Sequence, residues 1–212
     1  GNVRKHATIE ISSLEHYRMR YAQYKTDQDL QAAHASCPWL VTWDDHEVDN
    51  NYAGSVGENG MESEEQMRAR RAMAYQAWWE NQPVRVPRVR SWADLTIHRT
   101  TAWGSLAQLW TLDTRQYRSD QPCNDGNRVV PCGDWGSAQH TMLGDAQESW
   151  LTAGLGANRA RWQVLAQQVM MAPFDFRAGP EAQLSMDQWS GYPAARDRLL
   201  GDVPIGRVGR AV

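Results

Sequence analysis

Helical patterns dominate the first third of the chain. Residues 13–35 predict two helices, the first capped by Ser12 or Ser13 and the second by Asp27. A third helix is predicted from Ser63, because glutamates open it and its apolar side chains recur near one face, at Met67, Ala74 and Trp78. The pattern therefore predicts three helices before residue 83.

A different pattern separates the second and third helices. Residues 39–43, WLVTW, have the length and composition of a buried strand. The letters DDHEVDNNYAG follow at once and predict a loop, because Asp, Asn and Gly are turn formers. Open α/β sheets bind their ligands in loops at the carboxyl ends of strands, so this loop is a candidate functional site.

Strand and helix patterns alternate in the second half, which indicates an α/β fold. The segments DLTIHRTTAW and SLAQLWTLDTRQY flank Gly104 and predict an antiparallel pair. Helices are predicted from Asp145, acting as N-cap, and from Pro193, whereas for residues 162–173 a strand is preferred to a helix. Residues 83–90 contain two prolines and predict an exposed edge.

Composition and charge exclude several classes of protein. The chain has 212 residues, and 22 basic against 25 acidic side chains give it a net charge of −3. There is no block of Lys and Arg to neutralise phosphates, which argues against a nucleic-acid surface. No window of about 18 apolar residues occurs, so no transmembrane segment is predicted.

Tryptophan and cysteine usage add two features. Eleven Trp stand against two Phe, so indole rings supply most of the aromatic core volume.

Cys123 and Cys132 bound a short loop rich in turn residues, a spacing that suits a local disulfide better than zinc, although two free thiols are the alternative. A disulfide would indicate an oxidising compartment. Cys37 precedes a proline in an apolar setting and is predicted to be an inert buried thiol.

The polar loop concentrates groups that bind metals. It combines four carboxylates, one imidazole and two amides, at Asp44, Asp45, His46, Glu47, Asp49, Asn50 and Asn51. Carboxylates this close repel one another unless cations lie among them, and oxygen ligands suit Ca²⁺, Mg²⁺ or Mn²⁺, whereas a mixed Asp/His set also suits iron or zinc. A solvated acidic loop without a metal is the alternative interpretation.

The string CPWLVTWDDHEVDNNYAG resembles the signature of the PhoD-like phosphatases, a branch of the metallophosphoesterases, and its core spans residues 39–54. Further matches are LAQLWTLDTRQYRSDQPC, GDAQESWL, RWQVLAQQVMMAP and DQWSGYPAARDRLL. The resemblance implies an α/β fold with a metallophosphoesterase-like mixed sheet sandwich flanked by helices. It also implies hydrolysis of phosphate mono- and diesters at a dinuclear site associated with Fe³⁺ and Ca²⁺, in an extracytoplasmic enzyme.

Roles for individual residues follow from the resemblance. Asp45 is expected to be a metal ligand, Asp44 a second carboxylate that ligates or orients, and His46 the phosphate contact or general acid. The remaining candidates are Asn50 as a metal ligand and Asn51, Arg115 and Tyr192 as substrate contacts. A structural ion pair is the alternative for Arg115, and simple packing is the alternative for Tyr192. Asp49 and Glu47 are expected to hold the loop.

The sequence also departs from the family pattern. Two motifs that supply further metal ligands, of the GDYIYE and GDVH types, are not found, since Pro204 stands where the second would have histidine, and Ser190 replaces an acid in WSGY. Residues 1–212 are therefore expected to form a partial domain, incomplete at both ends, with an atypical tail at 201–212 and low activity by itself. The alternatives are a calcium-stapled, Trp-rich carbohydrate-binding module and an inactive remnant.

Overall fold

The three N-terminal helices are present as predicted in the computed structural model, which describes residues 5–6 and 10–202. Ser13 accepts a hydrogen bond from the backbone of His16, and Asp27 accepts two at the start of the second helix. Ser63 and Gln66 form a capping box on the third. The helices are α1 (Leu14–Lys25), α2 (Gln28–Ser36) and α3 (Glu64–Asn81).

The predicted buried strand at residues 39–43 is wrong. The segment is extended but forms no strand, and Trp39 and Leu40 are exposed, whereas Trp43 is fully buried. Side chains rather than a β-ladder hold it, because Arg99 donates to the carbonyl of Val41. Cys37, at the end of α2, is exposed, so its predicted burial is also wrong.

Two small sheets form the β structure of the described residues. The predicted hairpin is confirmed: β1 (Arg99–Trp103) pairs antiparallel with β2 (Ala107–Thr111), and the turn between them contains Gly104. On its other edge β2 pairs in parallel with β4 (Trp162–Ala166), which confirms the strand in that segment. A second sheet joins the short strands β3 (Asn127–Val129) and β5 (Leu184–Ser185) in antiparallel order. The sheets and helices confirm the α/β class.

Two short 3₁₀ turns, Trp92–Asp94 and Trp189–Gly191, and three further helices remain. The three helices are α4 (Pro122–Asp125), α5 (Gly144–Ala157) and α6 (Pro193–Asp202). Of these, α4 is a single turn in which Cys123 and Asn124 have left-handed backbone angles, with φ of 59° and 56°. Helix α6 begins at the predicted proline. Helix α5 begins one residue before the predicted cap, so Asp145 lies in its first turn, and the backbone of Gly144 donates to the side chain of Thr141 instead.

Two hydrophobic clusters form the core. In the first, α1 and α3 pack around Trp43, whose ring stacks on Tyr75 with centroids 3.9 Å apart. In the second, α5 and α6 pack against the end of β2 around residues such as Trp110 and Trp189. The acidic loop directly follows Trp43 of the first cluster, and its first residue, Asp44, pairs with Arg115, which comes three residues after Leu112 of the second cluster.

Other expectations concern the chain ends and the edge segment. Residues 83–90 are extended and belong to no strand, with Val86 buried and most of the remainder exposed or half-buried. Gly201 and Asp202 end α6, whereas the rest of the 201–212 tail lies outside the described residues. Among the described helices, none is long and apolar enough to cross a membrane.

Candidate functional site

Gln168 joins the start of the acidic loop to the end of β2. Its amide nitrogen donates to the hydroxyl of Thr42 over 3.0 Å, to the carbonyl of Trp43 over 2.7 Å and to the carbonyl of Leu112 over 3.0 Å. Its amide oxygen accepts from Thr114 over 2.9 Å. One side chain therefore donates hydrogen bonds to the backbone carbonyls of two segments that are not paired in a β-sheet at this point.

The turn after β2 presents Arg115 to the loop. The carboxylate of Asp113, which is fully buried, accepts from the backbone nitrogens of Arg115 and Gln116 over 3.0 and 2.9 Å. This local closure bends the chain immediately after the strand. The guanidinium of Arg115 consequently lies beside the first residue of the acidic loop.

Arg115 lies between two carboxylates. Its Nε donates to Oδ1 of Asp44 over 2.6 Å, and its two terminal nitrogens donate to Asp187 over 2.5 and 2.9 Å. The Arg115 side chain is 1% exposed, so both ion pairs are shielded from solvent on its side. Of the two interpretations of Arg115, this geometry favours the structural ion pair over direct contact with a substrate.

The ionisation of Asp187 reflects the two arginines around it. Burial raises the pKa of this carboxyl, but the hydrogen bond from Arg115 and the charges of Arg118 and Arg115 outweigh burial and lower it to about 2. At Asp44 the balance is opposite: burial raises its pKa more than Arg115 lowers it. Of the two carboxylates that pair with Arg115, Asp187 is therefore the one whose ionised form the site favours.

Asp45 is the more buried of the two adjacent loop carboxylates. Its Oδ2 accepts from the backbone nitrogen of Asn51 over 2.9 Å and lies 3.7 Å from Nε2 of His46. Its Oδ1 lies 3.8 Å from Arg115. The backbone of Val48 and Asp49 also donates to its carbonyl, so Asp45 begins a closed turn that brings Asn51 back to it.

His46 projects from this turn towards solvent. Its side chain is 76% exposed, and Nε2 donates to Oδ1 of Asn50 over 2.9 Å. That hydrogen bond raises the pKa of His46 more than burial lowers it, and the carboxylates of Asp45 and Glu47 raise it further. An accessible imidazole whose protonated form is favoured in this way can donate to an oxyanion.

Glu47 and Asp49 lie where loop-holding residues are expected. Glu47 accepts from the backbone nitrogen of Asp44 over 2.7 Å. Asp49 pairs with Arg70 of α3 over 2.5 Å and accepts from the backbone of Glu58 over 3.0 Å. These bonds attach the loop to itself and to α3.

Asn51 connects the loop to the disulfide-bonded turn. It has a positive φ of 52°, and its side chain donates to Asp125 over 2.8 Å. Its carbonyl accepts from Gln121 over 2.5 Å. Asn tolerates this left-handed conformation better than most residues. Asp125 closely follows Cys123, which forms a disulfide with Cys132.

Tyr192 lies away from the loop surface. It is fully buried, its hydroxyl donates to the carbonyl of Ser119 over 2.8 Å, and its ring lies under the guanidinium of Arg118 at 5.7 Å. These contacts favour packing over contact with a substrate for Tyr192.

Three residues of the site carry no signal in the sequence pattern: Asp187, Arg118 and Gln168. Arg118 donates to Asp187 over 2.5 Å, and the partners of Asp187 and Gln168 lie 72 and 126 residues away along the chain. Periodicity reports local structure, so it cannot detect such pairs.

The arrangement fits part of a metal site. Asp44, Asp45 and Asn50 offer the oxygen donors that hard cations take. Within the ranges that the structure describes, however, the one group of three His, Cys, Asp or Glu ligand atoms lying within 4.8 Å of one another is Cys123, Cys132 and Asp134. Its two sulfurs are bonded to each other and are not thiolates.

Tryptophan exposure argues against the carbohydrate-binding alternative. Four indoles are buried, at Trp43, Trp78, Trp110 and Trp189. The most exposed are Trp103, Trp162 and Trp39, and Trp39 lies on a different segment from the two sheet tryptophans. The surplus of tryptophan is thus mainly scaffold rather than one open face that stacks on sugars.

A mixed α/β fold with a carboxylate and histidine loop of this kind defines a metallophosphoesterase-like protein. A solved structure of PhoD matches this chain with a TM-score of 0.89 and 46% identity, covering 95% of this chain and 38% of that one. The family model for PhoD-like phosphatase matches residues 1–212. This chain belongs to the PhoD-like phosphatase family.

The similarity extends to a characterised relative. The chain is 48% identical over 200 residues to alkaline phosphatase D of Bacillus subtilis (strain 168), an alignment that covers 94% of this chain and 34% of that protein. The chain therefore spans about a third of the length of this curated relative.

Proposed function

We propose that this chain contributes the histidine-bearing loop of a metal-dependent phosphoric ester hydrolase of the PhoD-like type. The observation that carries the proposal is the exposed imidazole of His46, held between Asp45 and Asn50 on a loop that part-buried hydrogen bonds of Glu47 and Asp45 close. Family membership supports a phosphate ester as substrate. The disulfide supports an extracytoplasmic location for the parent enzyme.

His46 acts on the phosphate ester through its proton. In the protonated state each ring nitrogen carries one proton: Nε2 donates to Asn50, so Nδ1 is the nitrogen that would contact a phosphate oxygen or donate to the leaving alkoxide. The hydrogen bond to Asn50 raises the pKa of His46 and so favours this protonated state. Asn50 orients the ring, since its amide oxygen accepts from Nε2. A proton donor in this position contributes roughly 10²- to 10⁴-fold to the rate.

Asp45, Asp44 and Asn50 are the residues that would hold metal, which we propose to be Ca²⁺ and Fe³⁺ on the strength of the family resemblance. Bound metal would neutralise phosphate oxygens and activate water. Asp44 depends on Arg115 for its position, and Arg115 depends on Asp187. Arg115 is thus a positioning residue in this proposal, and Asn51 supplies a polar side chain beside the carboxylates.

The test is hydrolysis of p-nitrophenyl phosphate by the 212-residue chain with added Ca²⁺ and Fe³⁺. We expect slow turnover, because the described ligand atoms of this loop do not converge as a complete metal site. His46→Gln should lower that turnover at least 100-fold. His140→Gln, which changes a histidine outside the loop, is the control. Turnover that is equal in the two variants would overturn the assignment of His46, and fast turnover would show that the chain already assembles a full site.

Metal binding gives a readout that needs no turnover. Calorimetric titration with Ca²⁺ should show binding that Asp45→Asn abolishes and that Asp197→Asn, a change on the exposed face of α6, leaves intact. Identical binding by both variants would place the metal elsewhere.

A further inference from the structure

A cleft of about 510 Å³ lies between α1, α2 and the segment that leads into the acidic loop. Helix α1 contributes Tyr21, Tyr24 and Lys25, helix α2 contributes His34, and Trp39 lines it from the extended segment. His46 also lines it, so the cleft is continuous with the proposed site of phosphoryl chemistry.

The walls of the cleft are aromatic, and contacts within the protein hold their rings in place. Trp39 is 39% exposed, and its indole nitrogen donates to the carbonyl of Ala33 over 3.2 Å, which fixes the ring. The ring of His34 lies beside it, with centroids 4.5 Å apart. Tyr21 also lines the cleft, and its hydroxyl is buried without a hydrogen-bond partner among the described residues. A flat ring entering the cleft would find ring faces and a polar group already in place.

The charge of the cleft favours an anion. Arg20 and Lys25 line it, and Glu47 is the acidic residue among the described lining groups. Glu47 is already engaged by the backbone of Asp44. Lys25 lies 3.4 Å from a ring nitrogen of His34 and makes no ion pair with a carboxylate in the part of the chain that the structure describes.

We propose that this cleft binds the leaving group of the ester and that it selects a flat aromatic group carrying a second negative charge. Trp39 stacks on the ring, Lys25 pairs with the anionic substituent, and the scissile phosphate lies towards His46. This inference rests on the proposed function for the position of the phosphate. The preference for an aromatic anion rests on the cleft itself.

The test is calorimetric binding of three phosphonates, which are not hydrolysed because a P–C bond replaces the ester bond. The probes are methylphosphonate, benzylphosphonate and 4-carboxybenzylphosphonate, which add first a ring and then a charge. We expect each addition to tighten binding at least threefold. Trp39→Ala should remove the gain from the ring, Trp39→Phe should keep most of it, and Lys25→Met should remove the gain from the carboxylate alone.

Trp103→Ala is the matched control, because Trp103 is an exposed indole on β1 outside the cleft. Urea midpoints of all variants establish that they are folded. Equal affinities for the three probes, no measurable binding of 4-carboxybenzylphosphonate at millimolar concentration, or equal losses in Trp39→Ala and Trp103→Ala would each overturn the proposal. If the ring and charge gains hold while His46→Gln leaves turnover unchanged, the cleft stands and the proposed function fails.

Discussion

Arg115 donates from Nε to Oδ1 of Asp44 over 2.6 Å, and this bond ties the acidic loop to the turn that follows β2. The two residues are 71 positions apart along the chain. The orientation of a proposed metal-site carboxylate thus depends on a buried guanidinium, which in turn depends on Asp187.

Removing the counter-charge of this guanidinium should destabilise the fold. Asp187→Asn leaves Arg115 and Arg118 with less charge compensation in a buried setting, and breaking such a pair costs about 3–5 kcal/mol of unfolding free energy. Urea unfolding measures it. Asp197→Asn removes an exposed ion pair of α6 and should change stability by less than about 0.5 kcal/mol. Similar effects of the two substitutions would contradict the assigned role of Asp187.

Lowering the pH should weaken the ion pairs of Asp187 with Arg115 and Arg118. The pKa of Asp187 is lowered from 3.8 to about 2, so its contribution is complete above about pH 5 and is lost as the pH falls towards 2. The loss amounts to about 2 kcal/mol. Asp44 and Glu47 have raised pKa values and act in the opposite direction.

The informative quantity is therefore the difference in unfolding free energy between the wild type and Asp187→Asn at each pH. That difference should shrink between about pH 5 and pH 2. A difference that is constant over this range would show that Asp187 does not titrate as the geometry requires.

Gln168 should contribute to stability through its hydrogen bonds alone. Gln168→Ala removes the donor shared by the carbonyls of Trp43 and Leu112, and we expect a loss of about 1–3 kcal/mol. Thermal unfolding checks this expectation. The comparison is Gln139→Ala, at an exposed position whose side chain makes no such bridge, and a loss of the same size there would refute the bridging role.

Two glycines of α5 should respond in opposite directions to alanine. A Cβ at Gly154 would lie 2.2 Å from the ring of Trp110, so Gly154→Ala should cost about 1–3 kcal/mol of stability. A Cβ at Gly156 meets nothing within 4 Å, and alanine there should stabilise by up to about 1 kcal/mol. Equal midpoints of urea unfolding for the two variants would disprove the close packing of α5 on β2.

Much of the fold is local enough to be predicted. The capping residues Ser13, Asp27 and Ser63, the hairpin around Gly104 and the helix start at Pro193 all act within a few positions of themselves. The predicted strand at residues 39–43 does not form. An apolar run indicates that a segment can be buried, but it does not show that a neighbouring strand is available to pair with it. Here the segment is held by the side chains of Arg99 and Gln168 instead.

The site divides in the same way. The sequence by itself determined the loop, its carboxylates and His46, because these residues are adjacent and the turn formers that present them are local. Only the tertiary structure decided that Arg115 forms ion pairs with two carboxylates, that Tyr192 is buried and that His46 lines an aromatic cleft. Those outcomes depend on contacts between segments far apart in the chain, and no pattern of nearby residues specifies which of them meet.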